Sequence, residues 1–213
     1  MKRTILAGVS SAAIAIAVSG TGCQNTGIGD PCTPEAEYST SFLGFSFKEV
    51  STESADYQCF SRLCLVNHFQ GRVSCPYGQD SSGNAGKSIP QGCKTPFINQ
   101  PVDGKVNGNY VDSNLKATVQ PQCTDRRADT TVYCSCRCAN LDGKTDDGAV
   151  YCACPDGYSC TQLYSSIGGG LNQGLTGAYC IKSGSDYDPN AVCAATCNAA
   201  SGDCGSAQGV SGM

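Results

Sequence analysis

Hydrophobic and polar positions divide this chain into one long apolar run and many short ones. Residues 5–18 are an uncharged stretch of Ile, Leu, Val, Ala, Ser and Gly behind the basic pair Lys2 and Arg3. Such a stretch is too short to span a bilayer and has the layout of a secretory signal's apolar segment. Downstream, apolar residues alternate or cluster at strand length. "SFLGFSFKEV" (41–50) puts Phe45 and Phe47 on one face at a period of two. "CLVNHFQGRVSCPY" (64–77) predicts a hairpin turning at Gln70-Gly71, "LKATVQ" (115–120) a strand, and "GAYCIK" (177–182) another. "VDGKVNGNYV" (102–111) carries two turn dipeptides, Asp103-Gly104 and Asn107-Gly108, between Val-rich pieces. Helix signals are few: "AVCAATCNAA", with Cys193 and Cys197 four apart, predicts one short helix. The expected fold class is mostly β, with small disulfide-stapled hairpins, long irregular loops and few or no helices beyond the signal peptide.

Composition changes how such strands can be held together. The chain has no Trp, 6 Phe and 26 Gly, which is little material for an apolar core, but 17 Cys. In an exported domain each native bridge contributes roughly 2–4 kcal/mol, largely by restricting the unfolded chain. Disulfides are therefore expected to replace much of the missing burial, and reduction is expected to unfold the protein.

The densest cysteine region, residues 130–160, predicts a hairpin that brings two rows of cysteines alongside each other. On a strand, Cys134, Cys136 and Cys138 form one row, and Cys152 and Cys154 a second. Row neighbours lie roughly 6.7 Å apart with parallel side chains. Disulfides prefer closer α-carbons and converging β-carbons, so the cysteines of a row should bond outward. The other reading of the row is a thiolate metal site, because alternating cysteines resemble metallothionein. Export to an oxidising compartment favours disulfides, and paired cysteines at zinc-ribbon spacing do not occur. Between the rows, "NLDGKTDDG" (140–148) offers Asp142, Asp146 and Asp147 as oxygen ligands for calcium, or simply as turn residues.

"SGTGC" ends the signal segment, with small residues directly before Cys23. It resembles the lipobox of bacterial lipoproteins, which implies a signal peptide of residues 1–22, cleavage before Cys23, and lipid on that cysteine. Gly20 stands where the family usually has Leu, and cleavage by an ordinary signal peptidase near Gly20 or Gly22 would give a secreted protein instead. Parity bears on the choice. With Cys23 acylated, 16 cysteines remain, an even number: Cys32, Cys59, Cys64, Cys75, Cys93, Cys123, Cys134, Cys136, Cys138, Cys152, Cys154, Cys160, Cys180, Cys193, Cys197 and Cys204. By the same resemblance, Gln24 after the cysteine implies release to the outer membrane. The organisation expected is a lipidated tether at 23–31, a disulfide-rich β domain at 32–182 with a sub-boundary candidate in 78–100, and a Gly/Ser/Ala-rich tail at 183–213 pinned by cysteines.

The chain without residues 1–22 has 12 basic and 18 acidic side chains and no run of Lys or Arg. A net charge of −6 on that chain disfavours nucleic acid and electrostatic membrane binding. Attachment to a membrane is expected from acyl groups instead. "YCACPDGYSC" (151–160) resembles the end of an EGF-like module through Cys152, Cys154, Gly157, Tyr158 and Cys160, which implies small-hairpin architecture. More widely, "GIGDPCTPEAEY" (27–38), "RLCLVNHFQGRVSCP" (62–76) and the stretch 132–160 resemble the cysteine-rich lipoproteins predicted in myxobacteria and relatives. That likeness implies a lipoprotein and no particular activity.

Catalytic signals are missing. The single histidine, His68, sits beside the predicted turn, where a surface position explains it. No G-x-S-x-G elbow, two-histidine zinc helix, phosphate-binding loop or Cys-x-x-Cys pair occurs. "SSIGGGLNQG" (165–174) reads as a flexible loop. The expectation is a non-enzymatic envelope module that meets a partner protein or polysaccharide through rigid loops, with its 10 Tyr as contact residues or packed on bridges. The alternatives are an envelope hydrolase using a carboxylate pair such as Glu49 and Glu53 or Asp146 and Asp147, and a calcium-dependent adhesin.

Overall fold

A computed structural model of the protein describes residues 27–83, 93, 95–96, 117–164, 176–190 and 192–204. The expected signal segment, Cys23, the turn-rich stretch 102–111 and the glycine-rich stretch 165–174 lie outside these. The described residues form two small antiparallel sheets. In the first, β1 (Val50–Ser54), β2 (Leu63–Asn67) and β3 (Val132–Cys134) lie in that spatial order. In the second, β6 (Gly177–Lys182) lies between β4 (Arg137–Ala139) and β5 (Tyr158–Tyr164). Helical structure among the described residues amounts to a 3-10 turn, Glu35–Tyr38, and one four-residue α-turn, Ala128–Thr131. The fold is thus mostly β, with bridges between strand regions.

The central strand of each sheet carries a continuous apolar run. LCLVN of β2 is buried at every position, and GAYCIK of β6 at every position but the last. Strands covered on both faces need no polar alternation. In β2, Leu63 and Leu65 pack with Tyr133 of β3 and with Tyr179 and Ile181 of β6, which forms the core between the sheets. Cys64 and Val66 face the other way, toward Cys32, Phe45, Cys59 and Phe69. Each fully buried aliphatic side chain contributes roughly 1.5–3 kcal/mol.

Several sequence expectations are corrected here. The hairpin expected at 64–77 does not form: β2 pairs with β1 (Glu53 opposite Cys64) and with β3 (Leu65 opposite Tyr133). Gly71 bridges Phe45 instead, with Phe45 N–H donating to Gly71 O at 2.8 Å. Phe45 and Phe47 are both buried, but in no strand; Gly44 at φ 116° and a turn closed by Glu49 N–H on Ser46 O interrupt the backbone. The neighbouring strand starts later, at Val50, in a polar sequence. Within 115–120 the described residues make only an isolated bridge, Val119 to Gln79.

The cysteine row is also divided. Its backbone leaves strand geometry at Ser135–Cys136, so Cys134 ends β3 in one sheet and Cys138 lies in β4 of the other. Ser135 makes that corner and is fully buried. Its N–H donates to Leu63 O at 3.0 Å and its hydroxyl to Cys180 O at 2.8 Å, one bond to each sheet. β4 pairs with β6 rather than with the 152–154 segment, which touches it through Cys152 N–H on Arg137 O.

Candidate functional site

The sixteen cysteines after Cys23 form eight bridges: Cys32–Cys64, Cys59–Cys134, Cys75–Cys93, Cys123–Cys193, Cys136–Cys152, Cys138–Cys160, Cys154–Cys180 and Cys197–Cys204. Their Cα–Cα distances run from 5.3 to 6.3 Å, inside the range a disulfide accepts. Cys134, Cys136 and Cys138 each bond to a different segment and none to another of the three. The bridges form two nodes. Cys32–Cys64 and Cys59–Cys134 lock the outer face of the first sheet, with all four cysteines buried. Cys136–Cys152 and Cys154–Cys180 touch in the second, where the sulfurs of Cys136 and Cys152 each lie 3.7 Å from that of Cys180. Sulfur triads as close as those of a thiolate cluster occur at both nodes, yet every one of these sulfurs is already bonded to a partner. Cys134 sits in one node and Cys136 with Cys138 in the other.

The tail is held by extended pairing. Cys193 and Cys197 do not share a helix; Thr196 bridges Cys123, and Thr124 N–H and Cys197 N–H donate to Ala195 O and Gln122 O. Cys193 then reaches Cys123, and Cys197 reaches Cys204.

Two buried arginines complete the frame, and neither has a signal in the sequence. Arg126 donates to four carbonyls: His68 O, Asp186 O, Asn67 O and Ser185 O, at 2.9–3.1 Å. It thereby ties the end of β2 to the turn after β6. Arg72, fully buried, donates to Ser39 O, Phe42 O and Glu37 O and lies beside the Glu37 carboxylate. Glu37 accepts from Val73 N–H, Ser74 N–H and the Ser74 hydroxyl. Burial pushes the Glu37 carboxyl above the usual range, against the pull of those donors and of Arg72.

His68 is half-buried and not on a surface hairpin. Its ring stacks on Tyr187 at 3.5 Å between centroids and lies 3.3 Å from Phe47 O through Nδ1. Burial, with the Arg126 charge adding to it, lowers its pKa and favours the neutral ring. The carboxylates weighed as a hydrolase pair each accept from backbone: Glu49 from Ser46 N–H and Glu53 from Glu35 N–H. In the 140–148 loop, Asn140 Oδ1 accepts from Asp142 N–H and Lys144 N–H. Asp147 accepts from the Tyr151 hydroxyl at 2.6 Å, from Ala149 N–H and from Asn140 Nδ2, and the tyrosine bond holds its carboxyl below the usual range. Asp142, Asp146 and Asp147 are exposed, and they form no metal-holding group among the described residues. Of the tyrosines beside cysteines, Tyr133 and Tyr179 are core, and Tyr151 is partly exposed under Arg137.

Among the described residues, the most exposed aromatic side chains lie in the loop joining β1 to β2. Tyr57 is 85% exposed and Phe60 82%, and the Arg62 guanidinium covers the Tyr57 ring at 4.4 Å. The loop is rigidly built. Ala55 N–H and Asp56 N–H both donate to Arg62 O, Gln58 N–H donates to Asp56 Oδ1, and Cys59 is bridged to Cys134. Gln58 also clasps the chain entry, accepting from Thr33 N–H at 3.1 Å and donating to Thr33 O at 2.8 Å. No protein-family model, curated protein or solved structure matches the chain.

Proposed function

We propose that the protein is a non-enzymatic, lipid-anchored module of the bacterial cell envelope, held rigid by disulfides and attached through Cys23. One observation carries this reading: the eight bridges consume sixteen of the 17 cysteines and leave over the residue at the lipobox position. An exported protein rarely keeps a spare thiol, and acylation removes it. The crossing bridges favour a structural or interaction role, since they hold loops in one conformation, and a preorganised surface loses little entropy when it binds. The outer membrane is the destination that Gln24 suggests, and an envelope protein or polysaccharide is the partner class that the rigid loops suit. The test is metabolic labelling with palmitate in the native host. Label in the wild-type chain, lost in Cys23→Ser, supports the anchor; an unlabelled wild-type chain recovered from the medium overturns it. Turnover of a peptidoglycan or polysaccharide panel by the purified protein would overturn the non-enzymatic part.

A further inference from the structure

The chain entry and the aromatic loop occupy the same spot on the molecule. A β-carbon placed on Gly27 would lie 3.3 Å from Phe60 Cβ and 3.8 Å from the Phe60 nitrogen. Only residues 24–26 separate Gly27 from Cys23. Even fully extended, that link reaches about 14 Å at 3.3–3.6 Å per residue. The entry segment is itself immobilised. Gly29 N–H donates to Cys134 O, Cys134 N–H donates to Asp30 O, and Cys32 is bridged to Cys64. With the Gln58–Thr33 clasp and the Cys59–Cys134 bridge, the loop cannot swing away from the point where the tether leaves.

We infer that Tyr57 and Phe60 are a second membrane contact, seated in the headgroup region of the bilayer that holds the acylated Cys23. The inference rests on the lipid-anchor reading. Acyl chains on Cys23 place its backbone at the bilayer surface, and the short link keeps Gly27, and Phe60 beside it, within reach of the polar layer, which is itself roughly 5–8 Å deep on each side. Tyr57 suits this layer because its ring takes the apolar side and its hydroxyl the wet side, and the exposed Phe60 ring adds apolar area. Arg62, stacked on Tyr57, brings a guanidinium to the level of the lipid phosphates. The loop therefore fixes which face of the domain looks at the membrane, and the sheets and the tail are presented above it.

The chain's lack of Trp makes the test direct. Acylated Phe60→Trp is reconstituted into phosphatidylethanolamine/phosphatidylglycerol vesicles, with and without lipids brominated along the acyl chain, and compared with acylated Val150→Trp. Val150 is 96% exposed and serves as the water-facing reference. Intact mass of the same samples reports the acyl groups, and the count of oxidised cysteines reports the fold. The expected result is a shorter emission wavelength for Phe60→Trp than for Val150→Trp, and loss of its intensity to brominated lipid with protection from aqueous iodide. An acylated, fully bridged Phe60→Trp protein that emits and quenches like Val150→Trp overturns the loop contact and leaves the anchor standing. Samples from the native host without acyl groups overturn both.

Discussion

Removing the Cys59–Cys134 bridge should cost far more stability than removing Cys197–Cys204, and the difference follows from loop length. Cys59 and Cys134 are 75 residues apart and Cys197 and Cys204 only 7. Cys75–Cys93 lies within the longer loop and short-circuits 18 residues of it, which leaves a path of about 58 links. The chain-entropy relation then gives about 4.2 kcal/mol for the long bridge and about 2.4 kcal/mol for the short one. Cavities left by the sulfurs add to both losses, because all four cysteines are buried. The variants are Cys59→Ala/Cys134→Ala and Cys197→Ala/Cys204→Ala, each checked by mass for its remaining bridges. Urea unfolding followed by circular dichroism should place the first about 2 kcal/mol below the second, which for a chain of this size is a melting difference of roughly 4–8 °C. Equal losses, or a larger loss in the short-loop variant, would refute the claim that long-range bridges organise the frame.

Three further outcomes are expected. Arg126→Lys should destabilise by about 3 kcal/mol or more, because an ammonium cannot reproduce the fork that serves four carbonyls at once; the check is the denaturation midpoint, with Lys48→Ala as an exposed control. Tyr133 accepts from Lys182 N–H in the core, and burial pushes its phenol up to about 12 from 10. A phenol neutral in the fold but ionised when unfolded makes stability fall as pH rises from 10 toward 12, so Tyr133→Phe should flatten that slope while losing about 1–3 kcal/mol at neutral pH from the orphaned donor; melts at stepped pH test both. Gly71→Ala should be severe and Gly143→Ala mild. Both have positive φ, but a methyl on Gly71 would fall 2.2 Å from Gln120 O whereas Gly143 has nothing within 4 Å. The second therefore loses only about 1–2 kcal/mol of backbone strain, readable as a small melting shift.

Where apolar residues run continuously, the sequence predicts the strand well: GAYCIK is β6 from end to end. β2 was legible as apolar but not as a central strand, because its partners come from 50–54 and from 132–134, far apart in the chain. β1 reads VSTES, a polar edge strand whose only apolar residue is Val50, so periodicity has nothing to report there. The regular spacing of Cys134, Cys136 and Cys138 suggested one strand, and the break at Ser135 comes from tertiary hydrogen bonds to Leu63 and Cys180 that no local pattern encodes. The three cysteines of that row do bond outward as expected, although the single strand the expectation assumed is broken, and their pairing comes from the fold. Tyr57 and Phe60 lie outside every strand pattern in the sequence, which carries no signal for their role. Their exposure, and their place beside Gly27, depend on the clasp between Gln58 and Thr33.

The most direct test of the account is the intact mass of the protein extracted from its native host's membranes, with and without reduction and alkylation. The predicted mass begins at Cys23, carries acyl groups, and gains sixteen alkylated thiols only after reduction. An unacylated start near residue 21 or 23, or thiols that alkylate before reduction and release zinc or copper, would contradict it.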